Sequence, residues 1–161
     1  MISIHDLIYE VIAMHQTILF LLLSTLLLPV SCQAAIPNLF VGITTDKATY
    51  KQGEPIAMAL TVLNQDSKPE QIRFANSKIY DFHLYDEDDQ LVWKWSGDKM
   101  FAMSLIDLKL ESKLPLTYVV TFNQILASGE GLKPGKYQLV GEFCASEKEY
   151  RSNPVEIRIR K

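Results

Sequence analysis

The chain has few residues for chemistry that depends on thiols, imidazoles or one sign of charge. Its 161 residues include only two cysteines, Cys32 and Cys144, and three histidines, of which only His83 lies beyond residue 15. One cysteine and one histidine beyond Ala35 cannot assemble a structural zinc site, and a disulfide within that region has no second thiol. Sixteen basic against nineteen acidic residues leave a net charge of -3, without the basic footprint that nucleic-acid binding requires. The first 46 residues lack lysine and arginine altogether. The longest apolar run, "ILFLLLSTLLLPV" from Ile18 to Val30, has thirteen residues, short of the roughly 20 that cross a bilayer.

That run and the small residues after it, "VSCQAA" from Val30 to Ala35, predict an N-terminal hydrophobic signal or anchor helix over residues 1–34. Cleavage after Ala34 would place Cys32 and Ala34 at the positions a signal peptidase reads. The missing N-terminal positive charge, with Asp6 and Glu10 in its place, keeps a retained membrane anchor as the competing reading. "LPVSC" is also similar to a lipobox, with Pro29 where leucine is usual, which makes Cys32 a candidate for lipidation. The expected location is therefore outside the cytoplasm, in the periplasm or cell envelope. Membrane association is expected only through this segment or a lipid on Cys32.

Residues 35–161 are expected to form one domain, long enough to bury its own core. Helical periodicity is nearly absent there, and short alternating segments separated by turn residues predict an all-β domain. "LFVGITTD" opens it, and "IAMALTVLN" carries Ile56, Met58, Leu60 and Val62 on one face. "EQIRFA", "LPLTYVVTF" and "LKPGKYQLVGEFCA" follow. "PVEIRIR" closes the chain with Val155, Ile157 and Ile159 inward. "YKQGEP" and "NQDSKP" read as turns, "SEKEYRSN" as a polar connection, and Ser96–Leu108 as the least regular stretch. About seven to nine strands of unequal length favour an antiparallel two-sheet β-sandwich. Tyr137, just after the turn at Pro134-Gly135, can return its hydroxyl to the turn backbone as a tyrosine corner, or serve simply as a core residue.

The densest chemistry lies in "YDFHLYDEDDQLVWKW", Tyr80 to Trp95. Alternation puts Tyr80, Phe82 and Leu84 inward and Asp81, His83 and Tyr85 outward toward water. Asp86–Gln90 is the turn, and Leu91, Trp93 and Trp95 share the returning strand's apolar face. Asp81 and His83, about 7 Å apart on one strand face, do not fix an imidazole between a nucleophile and a carboxylate. An exposed His83 is the expectation, with no catalytic residue. Asp86, Glu87, Asp88 and Asp89 start like a calcium loop, but Leu91 occupies the position that needs glycine. No metal and no cofactor is expected. Cys144 reads as a buried, inert thiol.

The segment from "YKQGEP" to Phe101 resembles the intracellular proteinase inhibitor (BsuPI) domain family. The resemblance rests on Gly53-Glu54, Val62, Asn64, Phe74 and Ser77, on "YDF" at Tyr80–Phe82, and on "VWKWS" at Val92–Ser96. Phe101 and "LKPGKY" at Leu132–Tyr137 complete it. The resemblance implies an immunoglobulin-like β-sandwich that inhibits a serine proteinase through an exposed loop without being an enzyme. The partner would then be a protein. The expected partner-binding loop is Trp95, Ser96, Gly97, Asp98, Lys99, Met100 and Phe101, with the tip at Asp86–Gln90 as a second candidate. The alternative is a structural or adhesive protein-binding domain of the cell envelope with no inhibitory activity.

Overall fold

The computed structural model describes residues 38–161. The predicted N-terminal helix, the cleavage point after Ala34 and Cys32 lie outside the described residues. No helix among the described residues is long and apolar enough to cross a membrane.

Among the described residues eleven strands form in chain order: β1 (Leu39–Thr45), β2 (Thr49–Lys51), β3 (Ile56–Asn64), β4 (Glu70–Phe74), β5 (Tyr80–Tyr85), β6 (Leu91–Lys94), β7 (Ile106–Leu110), β8 (Pro115–Phe122), β9 (Gly135–Cys144), β10 (Glu149–Arg151) and β11 (Val155–Arg160). The count exceeds the expected seven to nine. β2 and β10 have three residues each, too short to show an alternation, and β7 emerges from the stretch read as irregular.

Strands β1-β3-β8 make one sheet and β2-β11-β9-β5-β6 the other, with β10 continuing alongside β9; β4 and β7 pair separately. Pairing is antiparallel except between β11 and β2, which run parallel. β3 alternates strictly between buried and half-buried residues, as the central strand of its sheet should. Its buried row, Ile56, Met58, Leu60 and Val62, faces the other sheet's Phe82, Leu84, Leu139 and Ile157 in the core of a β-sandwich. The sheets approach closely at Gly141 of β9, where an added Cβ would overlap Leu60 Cδ1 and stand 3.3 Å from Ile43 Cδ1. Phe74 of β4 meets Phe143 of β9 edge-on at 5.1 Å, docking the small sheet onto the same core.

Two polar details hold the ends of elements. The Tyr137 hydroxyl donates to the Lys133 carbonyl at 2.8 Å, so the tyrosine corner forms. Gln124, fully buried at φ 59°, plugs the β2–β3 turn: its Nε2 donates to the Lys51 and Glu54 carbonyls, and its Oε1 accepts from Gly53 N–H. Gly53 has φ 82°, a conformation that costs glycine little.

Candidate functional site

The hairpin β5–β6 departs from strict alternation. Tyr85 pairs with Leu91 and Leu84 with Trp93, so Val92 is an extra residue in a β-bulge. A bulge shifts the facing of everything beyond it. Trp93 stays inward with Leu84 and stacks on Phe122 at 4.2 Å, whereas Leu91 turns to the side of Tyr85 and is 50% exposed. The expectation of one shared face for Leu91, Trp93 and Trp95 is therefore corrected.

The other face of β5 corrects the sequence more deeply. Asp81 is fully buried and His83 nearly so, in place of the water-facing row expected. Asp81 lies opposite Glu142 of β9, itself buried, and Arg151 of β10 and Lys78 reach in from the sides. Lys78 Nζ is 3.4 Å from Asp81 Oδ2, and Arg151 Nε is 3.2 Å from Glu142 Oε2. The imidazole sits between the acids, with Nε2 3.6 Å from Asp81 and Nδ1 3.6 Å from Glu142, and Nδ1 makes no hydrogen bond. Burial lowers the His83 pKa from 6.5, outweighing the pull of Asp81 and Glu142, so the ring is neutral at pH 7.

Acids and imidazole thus converge, yet not in the order that nucleophilic catalysis needs. The buried Ser96 hydroxyl donates to Asp81 Oδ2 at 2.5 Å, and Ser96 N–H donates to Asp81 Oδ1 at 3.0 Å. The carboxylate stands between serine and histidine, where a triad places the imidazole. This is a clasp. It ties the 3₁₀ turn Trp95–Asp98 onto β5 and explains why "YDF" and "VWKWS" occur together. Cys144, 3.7 Å from Glu142 Oε1, has its thiol pKa pushed up to about 12 by burial, against the weaker opposing pull of Lys78. Among the described residues no group of three or more acids, histidines or cysteines is disposed to hold a metal ion.

The clasp sets up the loop beyond it. Trp95 is half-buried between Tyr80, at 4.6 Å, and Phe101, at 6.0 Å. Gly97, Asp98 and Lys99 are exposed; Asp98 pairs with Lys99 at 2.7 Å, and the Lys99 ammonium lies 4.8 Å over the Trp95 ring. Phe101 is half-buried, and a second clasp follows it. Ser77 N–H donates to the Ala102 carbonyl at 3.0 Å, and Ala102 N–H donates to Ser77 Oγ at 2.8 Å. Between the clasps Met100 stands 99% exposed, and Met103 and Leu105 follow at 89% and 69%. The structure therefore brings the expected loop residues together as one protrusion fastened at both stems. The second stem was not read from the sequence, although Ser77 lies within the matched motif. The other candidate loop, Asp86–Gln90, is a tight acidic turn capped by Asp86 Oδ1, which accepts from Asp88 and Gln90 N–H.

The family model described as intracellular proteinase inhibitor (BsuPI) matches residues 43–148, most of the described domain. The chain belongs to the BsuPI family. No curated protein matches it. Among solved structures, the C-terminal domain of wzt is similar at TM-score 0.51 and 8% identity, over 83% of this chain and 80% of that one. Spo0M, a sporulation control protein from Bacillus subtilis, gives 0.47 at 14% identity over 78% of this chain and 51% of that one. A β-glucosidase from Erythrobacter marinus gives 0.45 at 10% identity over 77% and 16%. This BsuPI-family chain therefore spans only 51% and 16% of the latter two, and the wzt likeness shows the sandwich fold alone.

Proposed function

We propose that this BsuPI-family domain is a non-enzymatic inhibitor of a serine proteinase and that Gly97–Phe101 enters the proteinase cleft. The reading rests on one observation: a loop clasped at both stems holds Met100 almost wholly in solvent. Fixing the loop beforehand removes ordering cost on binding, which is how a short segment inhibits rather than being cut as a flexible substrate. Met100 is the residue presented to the specificity pocket, so the target is a proteinase with a large apolar pocket. Tyr137 and its turn support the immunoglobulin-like form of the sandwich.

The test is titration of the intact chain against subtilisin and chymotrypsin. Stoichiometric loss of activity is expected, weakened at least tenfold by Met100→Asp. No inhibition at micromolar excess over several serine proteinases would remove the reading. Export to the envelope belongs to the same proposal. A diacylglyceryl mass on Cys32, or a mature start at Ala35, supports it; an intact N-terminal segment points to the anchor.

The adhesive alternative has its own supporting observation. The outer face of sheet β1-β3-β8 carries Phe40, Thr44, Ala59, Thr61, Thr117 and Val119 and no charge, with Phe40 and Val119 49% and 68% exposed. Exposed apolar side chains on a face without charge are a feature of interaction surfaces. Capture of a non-proteinase envelope protein, lost on Val119→Lys but retained on Met100→Asp, would favour this alternative.

A further inference from the structure

Strand β6 ends the six-stranded sheet, so among the described residues one of its edges carries no ladder. An open groove of about 550 Å³ runs beside it, within the size range of natural binding clefts. All four β6 residues, Leu91–Lys94, line the groove. By their pairing Trp93 lies on the inward side with Leu84, and Leu91 and Lys94 on the side of Tyr85 and His83, so a channel that touches all three runs along the strand's edge rather than over one face. Its far wall is the end of β8 and the loop after it, including Phe122, Ile125 and Leu126. The stacked Trp93 and Phe122 line it, as do Leu91 and Ile125, which are 50% and 55% exposed. Three charged residues line it. Asp98 and Lys99 neutralise each other, which leaves Lys94 as the one groove cation with no carboxylate partner among the described residues.

We infer that this groove binds an extended segment of a partner polypeptide, added as a further strand on the free edge of β6. An apolar side chain of that segment sits between Leu91 and Ile125, and a carboxylate meets Lys94. An unpaired edge supplies backbone donors and acceptors that fit any extended chain, and the pockets beside it select the side chains. Lys94, unpaired among the described residues, and the apolar Leu91, Trp93, Phe122 and Ile125 beside it fit an extended segment that carries both an apolar side chain and a carboxylate. The inference goes beyond the inhibitory reading and requires no proteinase.

Both tryptophans of the chain line the groove, so their fluorescence reports occupancy. The probe is an acetylated octapeptide of alternating threonine and valine ending in two aspartates, titrated into the intact protein. A saturable change is expected, with about tenfold weaker binding of the counterpart ending in two lysines. Lys94→Glu, on an exposed side chain, should reverse that order. Methylating every second backbone amide should abolish binding for one of the two alternating sets. The inference is overturned by no saturable change at millimolar peptide, by full binding of both methylated sets, or by sedimentation showing that a second copy of the chain occupies the edge.

Discussion

Asp81 is the side chain on which the first clasp turns. It is fully buried, yet it accepts from Ser96 N–H and hydroxyl and from Phe82 N–H, and Lys78 supplies a nearby positive charge. Breaking one side of such a cluster costs more than the bond itself, because the remaining charge stays buried. Ser96→Ala should cost about 1–3 kcal/mol in urea unfolding, and proteolytic nicking of Gly97–Phe101 should become faster. Nicking unchanged from the parent protein would mean that the clasp does not hold the loop. His83 next door gives a pH signature. Its folded pKa lies below the ordinary 6.5, so the unfolded chain takes up the proton more readily. The neutral ring's contribution is complete above about pH 6.5 and is lost as pH falls through that value toward the lowered one. The melting temperature should therefore drop from pH 7 to pH 5, and His83→Gln should flatten that part of the profile. The Cys144 thiol, with its pKa near 12, should resist iodoacetamide at pH 8 in the folded protein and react once unfolded.

Among elements, legibility followed length and regularity. β3, β8 and β11 each carry six or more residues of clear alternation and were readable with their inward rows. β2 and β10 have three residues each, too few for an alternation, so their segments read as a turn and a connection. The bulge at Val92 has no residue signature of its own, so the facing of Leu91 could not be read. The outward assignment of Asp81 and His83 failed for another reason. Alternation tells which side of a strand a residue is on, not whether that side is covered. Here Glu142 and Arg151, from strands distant in sequence, and the 3₁₀ turn cover it. The loop itself was legible as an irregular stretch with Lys99, Met100 and Phe101, but its second stem depends on a contact spanning 25 residues. Ser77→Ala removes the acceptor for Ala102 N–H and leaves the chain path otherwise intact. It should weaken proteinase inhibition by raising the dissociation rate while the melting temperature moves little, as surface kinetics and calorimetry would show.

At the scale of the whole molecule, closure of the sandwich is predictable from the apolar rows, but the close approach at Gly141 is not. Gly141 interrupts an otherwise bulky strand because Leu60 of the opposite sheet occupies the space its side chain would need. Gly141→Ala overpacks that contact and should cost about 1–3 kcal/mol. Leu60→Ala alone should cost about 2–5 kcal/mol by leaving a cavity. The double variant should be more stable than the sum of the two losses implies, because each change makes room for the other. Additive losses in denaturant titrations would place the two residues out of contact.

The parallel pairing of β2 with β11 joins the start of the domain to its finish. Tension that reaches β2 from its leading end and β11 from its trailing end would drag those strands past each other lengthwise, so that the bonds of the short ladder bear the load together instead of parting one at a time. A domain pulled at both ends would thus load the β1–β3 ladder from one side and the short ladder of Thr49–Lys51 with Arg158–Arg160 from the other.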